Sequence, residues 1–190
     1  IIVSDEIHCD LIYGEGCRHH TILSLDPWAH EHSLTLMAPS NTFNIPGLSC
    51  SYILIPDPRL RVRFQRASRG MITEINCFGY TGCEAAYRHG GPWLCELLAV
   101  LESNYRLTRD FIGKRMPRIR MFPMEATYLA WLDVRDLGLE APDRYFEDHG
   151  VGLSNGALFG TPGFLRLNFG CPPDRLKEAL DRMEAAYRAL

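Results

Sequence analysis

Apolar residues along the chain alternate between short unbroken runs and stretches spaced for one helical face. The run Ile1-Ile2-Val3, ending at Ser4-Asp5, reads as a buried parallel strand, the kind covered on both faces. "SLTLM" (33–37) and "CSYILI" (50–55) predict two more strands, the second closed by Pro56 and Pro58. "RLRVRFQRA" (59–67) predicts a short helix with a basic face, and residues 74–89 read as helical. Gly90-Gly91-Pro92 then interrupts the pattern, with Pro92 suited to the first turn of a new helix. Trp93, Leu97, Leu98, Leu101, Tyr105, Thr108 and Ile112 recur at helical spacing, so that helix runs from 93 to about 115 and ends before Pro117. "ATYLAWLDV" (126–134) and "GFLRLNFG" (163–170) predict strands, separated by a short helix near 142–149. Pro172-Pro173-Asp174 opens a last helix with Leu176, Leu180, Met183 and Tyr187 on one face.

This order places parallel α/β structure before a soft boundary near residue 100 and an α+β segment after it. A buried strand at "IIVS" needs neighbours on both sides, so the 190 residues are expected to belong to a longer protein. No internal repeat or low-complexity segment appears. Hydrophobic residues make up 46% and charged residues 23%, a balance that supports a globular core. The formal net charge of −3 gives no sign of a nucleic-acid or membrane-surface partner, and no apolar run approaches the roughly 20 residues of a membrane span. The seven cysteines form no C-x-x-C pair and read as free thiols of a reducing, cytoplasmic setting.

Several residues could carry chemistry. Asp5 ends a strand where α/β sheets bind ligands; it reads either as a loop or capping acid or as the counter-ion of a cationic ring nitrogen. "APSNTFN" (38–44) follows a strand directly, and Ser40 and Thr42 could donate to a phosphate or simply belong to a polar loop. In "GFLRLNFG", Leu165, Leu167 and Phe169 share one face and Arg166 and Asn168 the other. Arg166 there is either a surface arginine or a fork for a carboxylate. His19, His20, His30 and His32 complete no recognised metal-ligand spacing, so no metal site is expected.

Taken in order, "SDEIHCDLIYGE", "APSNTFNIPGLSCSYILIPDPRLR", "EAAYRHGGPWLCELLAVLESNY", "TYLAWLDVRDLGL" and "FLRLNFGCPPDRLKEAL" resemble the MalY/PatB-type cystathionine β-lyases. These belong to the aminotransferase class I/II group of fold-type I enzymes, which use pyridoxal 5′-phosphate (PLP). The resemblance spans essentially the whole chain and corresponds to the second half of such an enzyme. It implies an α/β, PLP-dependent transferase fold seen in part: residues 1–100 as the end of the large PLP-binding domain, 101–190 as the small C-terminal domain. It implies that Asp5 pairs with the ring nitrogen of PLP, that His8 reaches the ring's phenolic oxygen, that Ser40 lies beside the phosphate, and that Arg166 binds the substrate α-carboxylate. Tyr128 and Trp131 fall near the substrate side and read first as packing residues. The implied activity is β-elimination from cystathionine or a cysteine conjugate by a cytoplasmic homodimer.

One departure bears on the chemistry. The family has "SKTFN" or "SKSFN", whose lysine holds the cofactor and shuttles the α-proton; this chain has "SNTFN", with Asn41 in that place. A carboxamide is neither nucleophilic nor basic near neutral pH. Only Lys114 and Lys177 remain among the 20 basic residues, and neither matches a catalytic position. PLP is therefore expected to be held non-covalently or not at all, and lyase activity to be impaired. An aminotransferase of the same group and a non-catalytic binding domain are the alternatives, and Asn41 is open to natural loss or deliberate replacement. The family's Gly-rich phosphate turn and ring-stacking aromatic match nothing within these residues. "GMITEINCFG" (70–79) differs from the family's usual wording near the dimer interface.

Overall fold

The computed structural model describes residues 1–72 and 74–190. The chain forms two compact units, one of Ile1–Ile12 with Gly16–Glu96, the other of Tyr13–Glu15 with Leu97–Leu190.

The first unit is built on a three-stranded sheet. Its elements are β1 (Ile2–Asp5), α1 (Pro27–Glu31), β2 (Ser33–Met37), α2 (Ser40–Phe43), β3 (Tyr52–Leu54), α3 (Pro58–Ser68) and α4 (Cys77–His89). β1 and β2 run parallel, with Asp5 beside Leu36, so both strands end at the same edge of the sheet. β3 pairs antiparallel to β2, contrary to an all-parallel expectation. The connection holds two short helical turns, Ser40–Phe43 and Pro46–Leu48, and the chain re-enters the sheet beside the end of β2, with Tyr52 against Met37. The sheet order is β1-β2-β3, so within these residues "IIVS" has a ladder partner on one side only, and Ile1 and Val3 are exposed, in keeping with an apolar strand whose second neighbour is not expected among them.

Side-chain caps fix the helix starts. Asp26 Oδ1 accepts from Ala29 N (2.8 Å), Asp57 Oδ1 from Leu60 N (2.6 Å) and Asn76 Oδ1 from Gly79 N (2.9 Å). α4 meets the segment after α2 through glycines. A Cβ on Gly79 would lie 2.7 Å from Leu48 O, and one on Gly82 would lie 2.3 Å from Leu48 Cδ1.

α5 (Gly91–Arg115) leads into the second unit, which also holds β4 (Arg120–Met121), β5 (Leu129–Asp133), α6 (Pro142–Asp148), β6 (Ser154–Asn155), β7 (Phe164–Asn168) and α7 (Pro173–Arg188). The sheet is antiparallel, in the order β4-β5-β7-β6. Leu132 pairs with Leu165 and Ala130 with Leu167; these join Leu101 and Ile112 of α5 and Leu176, Leu180 and Met183 of α7 as buried core. The opposite face carries Trp131, Arg166 and Ser154 side by side, Arg166 lying between its two register partners. Asn104 of α5 is buried, and its Nδ2 donates to Phe169 O and Cys171 O (2.9 Å each), which pins the segment after β7.

Candidate active site

At the shared end of β1 and β2, the first unit gathers four of the residues singled out from the sequence. Asp5 closes β1 with an exposed carboxylate that accepts from Ile7 N at 3.3 Å. His8 lies in the turn after β1, half-buried, and its Nε2 is 3.4 Å from Asn41 Nδ2. Ser40 and Asn41 form the first turn of α2, where the sequence pattern alone suggests a loop. Parallel pairing places these groups at one sheet edge, because the residues after Asp5 and after Met37 leave the sheet in the same direction.

Other residues hold this edge together. Thr42, considered from the sequence as a phosphate donor, is instead fully buried and donates to Asp10 Oδ2 (3.0 Å), tying α2 to the turn that carries His8. Glu6, also buried, accepts from Ser4 Oγ (2.9 Å), Thr21 Oγ1 (3.2 Å) and Ile22 N (2.9 Å) and meets His19 Nε2 at 2.6 Å. Burial alone would raise its pKa, but these partners together hold it below the ordinary value, so Glu6 is an ionised anchor. That accounts for His19, while His32 stacks on Trp28 and bonds its carbonyl. Cys9 offers no replacement nucleophile: burial, with Asp10 beside it, pushes its thiol up to about 11.

In the second unit, Arg166 lies on the sheet face opposite the core, as strand alternation requires. Its Cζ sits 4.5 Å from the centroid of the Phe159 ring, and its Nη2 is 3.4 Å from Ser154 Oγ. Among the described residues no carboxylate forms an ion pair with it. Tyr128 is close enough for the Arg166 charge to counteract part of the rise that burial gives its phenol. Thr127, which precedes it, holds φ at +66°, rare for a β-branched residue. Trp131 packs between Phe159 and Phe164, at 5.8 and 5.9 Å between centroids.

The aminotransferase class I and II family model matches residues 1–183. The chain belongs to this family. Within it, the chain is 40% identical to cystathionine β-lyase PatB of Bacillus subtilis over 192 residues, which cover 97% of this chain and 49% of PatB. Its fold superposes on the crystal structure of OvoB with a TM-score of 0.97 at 42% identity, covering all of this chain and 50% of OvoB. Cystalysin from Treponema denticola, whose crystal structure contains PLP, superposes with a TM-score of 0.92 at 33% identity, covering 98% of this chain and 49% of cystalysin. The chain thus has the PLP-dependent transferase fold in part, and spans about half the length of the curated relatives it matches.

Set against that cofactor, the donor set fits in part. An exposed carboxylate at a strand end suits a cationic ring nitrogen, and a hydroxyl with an imidazole–amide pair lies at the same edge. Position 41 does not fit covalent attachment, since its nitrogen belongs to an amide. Among the described residues, Lys177 pairs with Asp174 on α7 and Lys114 lies in the last turn of α5, both in the second unit.

Proposed function

We propose that the protein is a PLP-binding member of the carbon–sulfur β-lyase group that holds its cofactor without a covalent bond and eliminates thiols poorly. The observation that carries this reading is the Asn41 amide, 3.4 Å from His8 at the sheet edge that ends in Asp5. PLP, when bound, supplies an electron sink for the substrate carbanion. Asp5 would keep the ring nitrogen protonated through a charge-assisted bond, worth about 1.5–3 kcal/mol. His8 and Ser40 would meet the cofactor's phenolic oxygen and phosphate. Arg166, in the second unit, would take the α-carboxylate of cystathionine or a cysteine conjugate. Asn41 donates or accepts hydrogen bonds but cannot take the α-proton, and a positioned base is typically worth about 10²–10⁴-fold. On the same reading, the first unit is the end of the large domain, the second is the small domain, and the protein works as a homodimer in a reducing, cytoplasmic setting. Asn41 equally favours a second reading, a binding protein without turnover.

The test uses the full-length protein and its Asn41→Lys variant, each treated with PLP and then borohydride, with pyruvate release from cystathionine followed separately. The protein with Asn41 should bind PLP reversibly, gain no cofactor mass and release little pyruvate. Asn41→Lys should gain the mass of one reduced cofactor and release pyruvate at least about 100-fold faster. Cofactor mass without faster elimination favours the binding protein. Full lyase activity with Asn41 in place defeats the proposal.

A further inference from the structure

Four arginines in the second unit rest on aromatic rings, Arg109, Arg118, Arg135 and Arg166, and the last two make an instructive pair. Arg135 has its Cζ 5.0 Å from the Phe164 centroid, and its fork is filled by Asp133, with Nε–Oδ1 at 2.9 Å and Nη2–Oδ2 at 2.7 Å. Arg166 has its Cζ 4.5 Å from the Phe159 centroid, yet among the described residues it meets no carboxylate, only Ser154 Oγ at 3.4 Å. A stacked ring covers the flat face of a guanidinium, whereas a carboxylate binds at its edge, in the plane. The two contacts are compatible, and Arg135 makes both at once.

We infer that Phe159 is a positioning residue, whose ring, together with Ser154, holds the Arg166 guanidinium so that its fork faces the α-carboxylate of an amino-acid ligand. The inference rests on the reading of Arg166 as the carboxylate anchor and adds the residue that aims it. A free arginine side chain carries about 2 kcal/mol of rotamer entropy, and a fork that is not held in place spends part of its binding energy on becoming ordered.

Phe159 is itself held. It ends a 3-10 turn over Gly156–Phe159, which Asn155 Oδ1 opens by accepting from Ala157 N (2.8 Å). Gly156 lets that turn lie against the chain beside it, since a Cβ there would come 2.5 Å from Thr161 O and 2.6 Å from Phe164 O. Trp131, the register partner of Arg166, meets the Phe159 ring nearly edge-on at 77°. Phe159 is 49% exposed in this chain.

The experiment compares Kd values in the full-length protein for two probes: the reduced, stable conjugate of PLP with L-alanine, which carries an α-carboxylate, and pyridoxamine 5′-phosphate, which does not. Their ratio reports the carboxylate anchor independently of turnover. Phe159→Leu keeps apolar volume and removes the ring; it should lower the preference for the carboxylate probe by about 2- to 5-fold, the fold-change of an exposed cation–π contact. Pyridoxamine phosphate affinity and the melting temperature should be unchanged. Phe159→Tyr should restore the preference, and the Arg166 Nε–H resonance, assigned by its loss in Arg166→Lys, should shift in the leucine variant and return in the tyrosine variant. An equal loss in the leucine and tyrosine variants overturns the proposal. A preference lost in Arg166→Lys but kept in Phe159→Leu overturns it alone. A preference kept in both overturns the reading of Arg166 on which it rests.

Discussion

Asp133 and Arg135 show how a charged pair is settled in this protein, and their titration can be checked. The Asp133 side chain is almost fully covered, and the Arg135 guanidinium beside it, after the opposing effect of burial and with further help from Arg135 N and Arg120, holds its carboxyl at about 2. An unfolded aspartate titrates near about 3.9. Above that value the group is ionised in both states and the pair contributes its full stability. As pH falls from about 4 toward about 2, the unfolded chain takes up its proton first and the contribution disappears. Asp133→Asn should therefore cost about 1 kcal/mol at neutral pH, discounted because Arg135 stays largely in water, and should flatten the fall of Tm between pH 4 and pH 2. A variant with the same acid slope as the parent would show that other carboxylates dominate acid unfolding. Arg166 has the aromatic seat of Arg135 without its acid, so residue type and ring contact do not distinguish the two. What differs is where each nearest carboxylate comes from: the second residue before Arg135 in the chain, and on the proposed reading a ligand for Arg166.

α4 shows what a helix gives up to sit close to the candidate site. Glycines cost roughly 1 kcal/mol each relative to alanine inside a helix, yet Gly79 and Gly82 both face Leu48. Their replacements should differ. A methyl at 79 meets a backbone carbonyl at 2.7 Å and Ile75 Cγ2 at 2.7 Å, which cannot both yield, so Gly79→Ala should destabilise by about 1–3 kcal/mol. A methyl at 82 meets chiefly the tip of the Leu48 side chain, which can turn aside, so Gly82→Ala should be nearly neutral once the helix-propensity gain is included. Urea melts of the two variants decide this, and equal costs would mean that α4 shifts as a body. The same elements mark how far the sequence can be read. Ser33–Met37 and the helices Pro58–Ser68, Gly91–Arg115 and Pro173–Arg188 fall where apolar spacing and Pro/Gly punctuation put them, within two residues. α2, β4 and β6 are too short to show any period, and the antiparallel direction of β3 is set by its neighbour, not by local pattern. At the candidate site, the face of Arg166 follows from strand alternation, but the roles of Asp5, His8 and Ser40 come from resemblance. Thr42 with Asp10, and Asn104, act through partners distant in the chain, and Phe159 acts through Arg166 on the following strand; these pairings leave no local signal.

At the scale of the whole chain, burial is divided unevenly. In the first unit the buried apolar residues are Leu11, Ala29, Leu34, Cys50 and Ile55; all the others among the described residues lie in the second, from Leu101 to Ala186. Since apolar burial is the main favourable term in folding, the second unit should hold the slowest-exchanging amides of the 190-residue chain, in β5, β7 and α7, while β1 exchanges early. The exposed Ile1 and Val3 on an edge strand add a hazard: this chain should self-associate as its concentration rises. Ligand linkage then connects stability to function. A ligand that binds only the folded site at 100 times its Kd adds about 2.7 kcal/mol. In the full-length protein, PLP at that excess should slow exchange about 100-fold for amides near Asp5–His8 and Ser40–Asn44 whose exchange requires the site to open. Amides in β5 should respond little to PLP and should slow further only with a ligand that carries an α-carboxylate. Hydrogen exchange read by mass spectrometry, with PLP, with the alanine conjugate and with neither, separates these outcomes. Protection by PLP confined to the second unit would move the cofactor away from Asp5 and Asn41, and no protection anywhere would leave this chain with the fold of its family and without its cofactor.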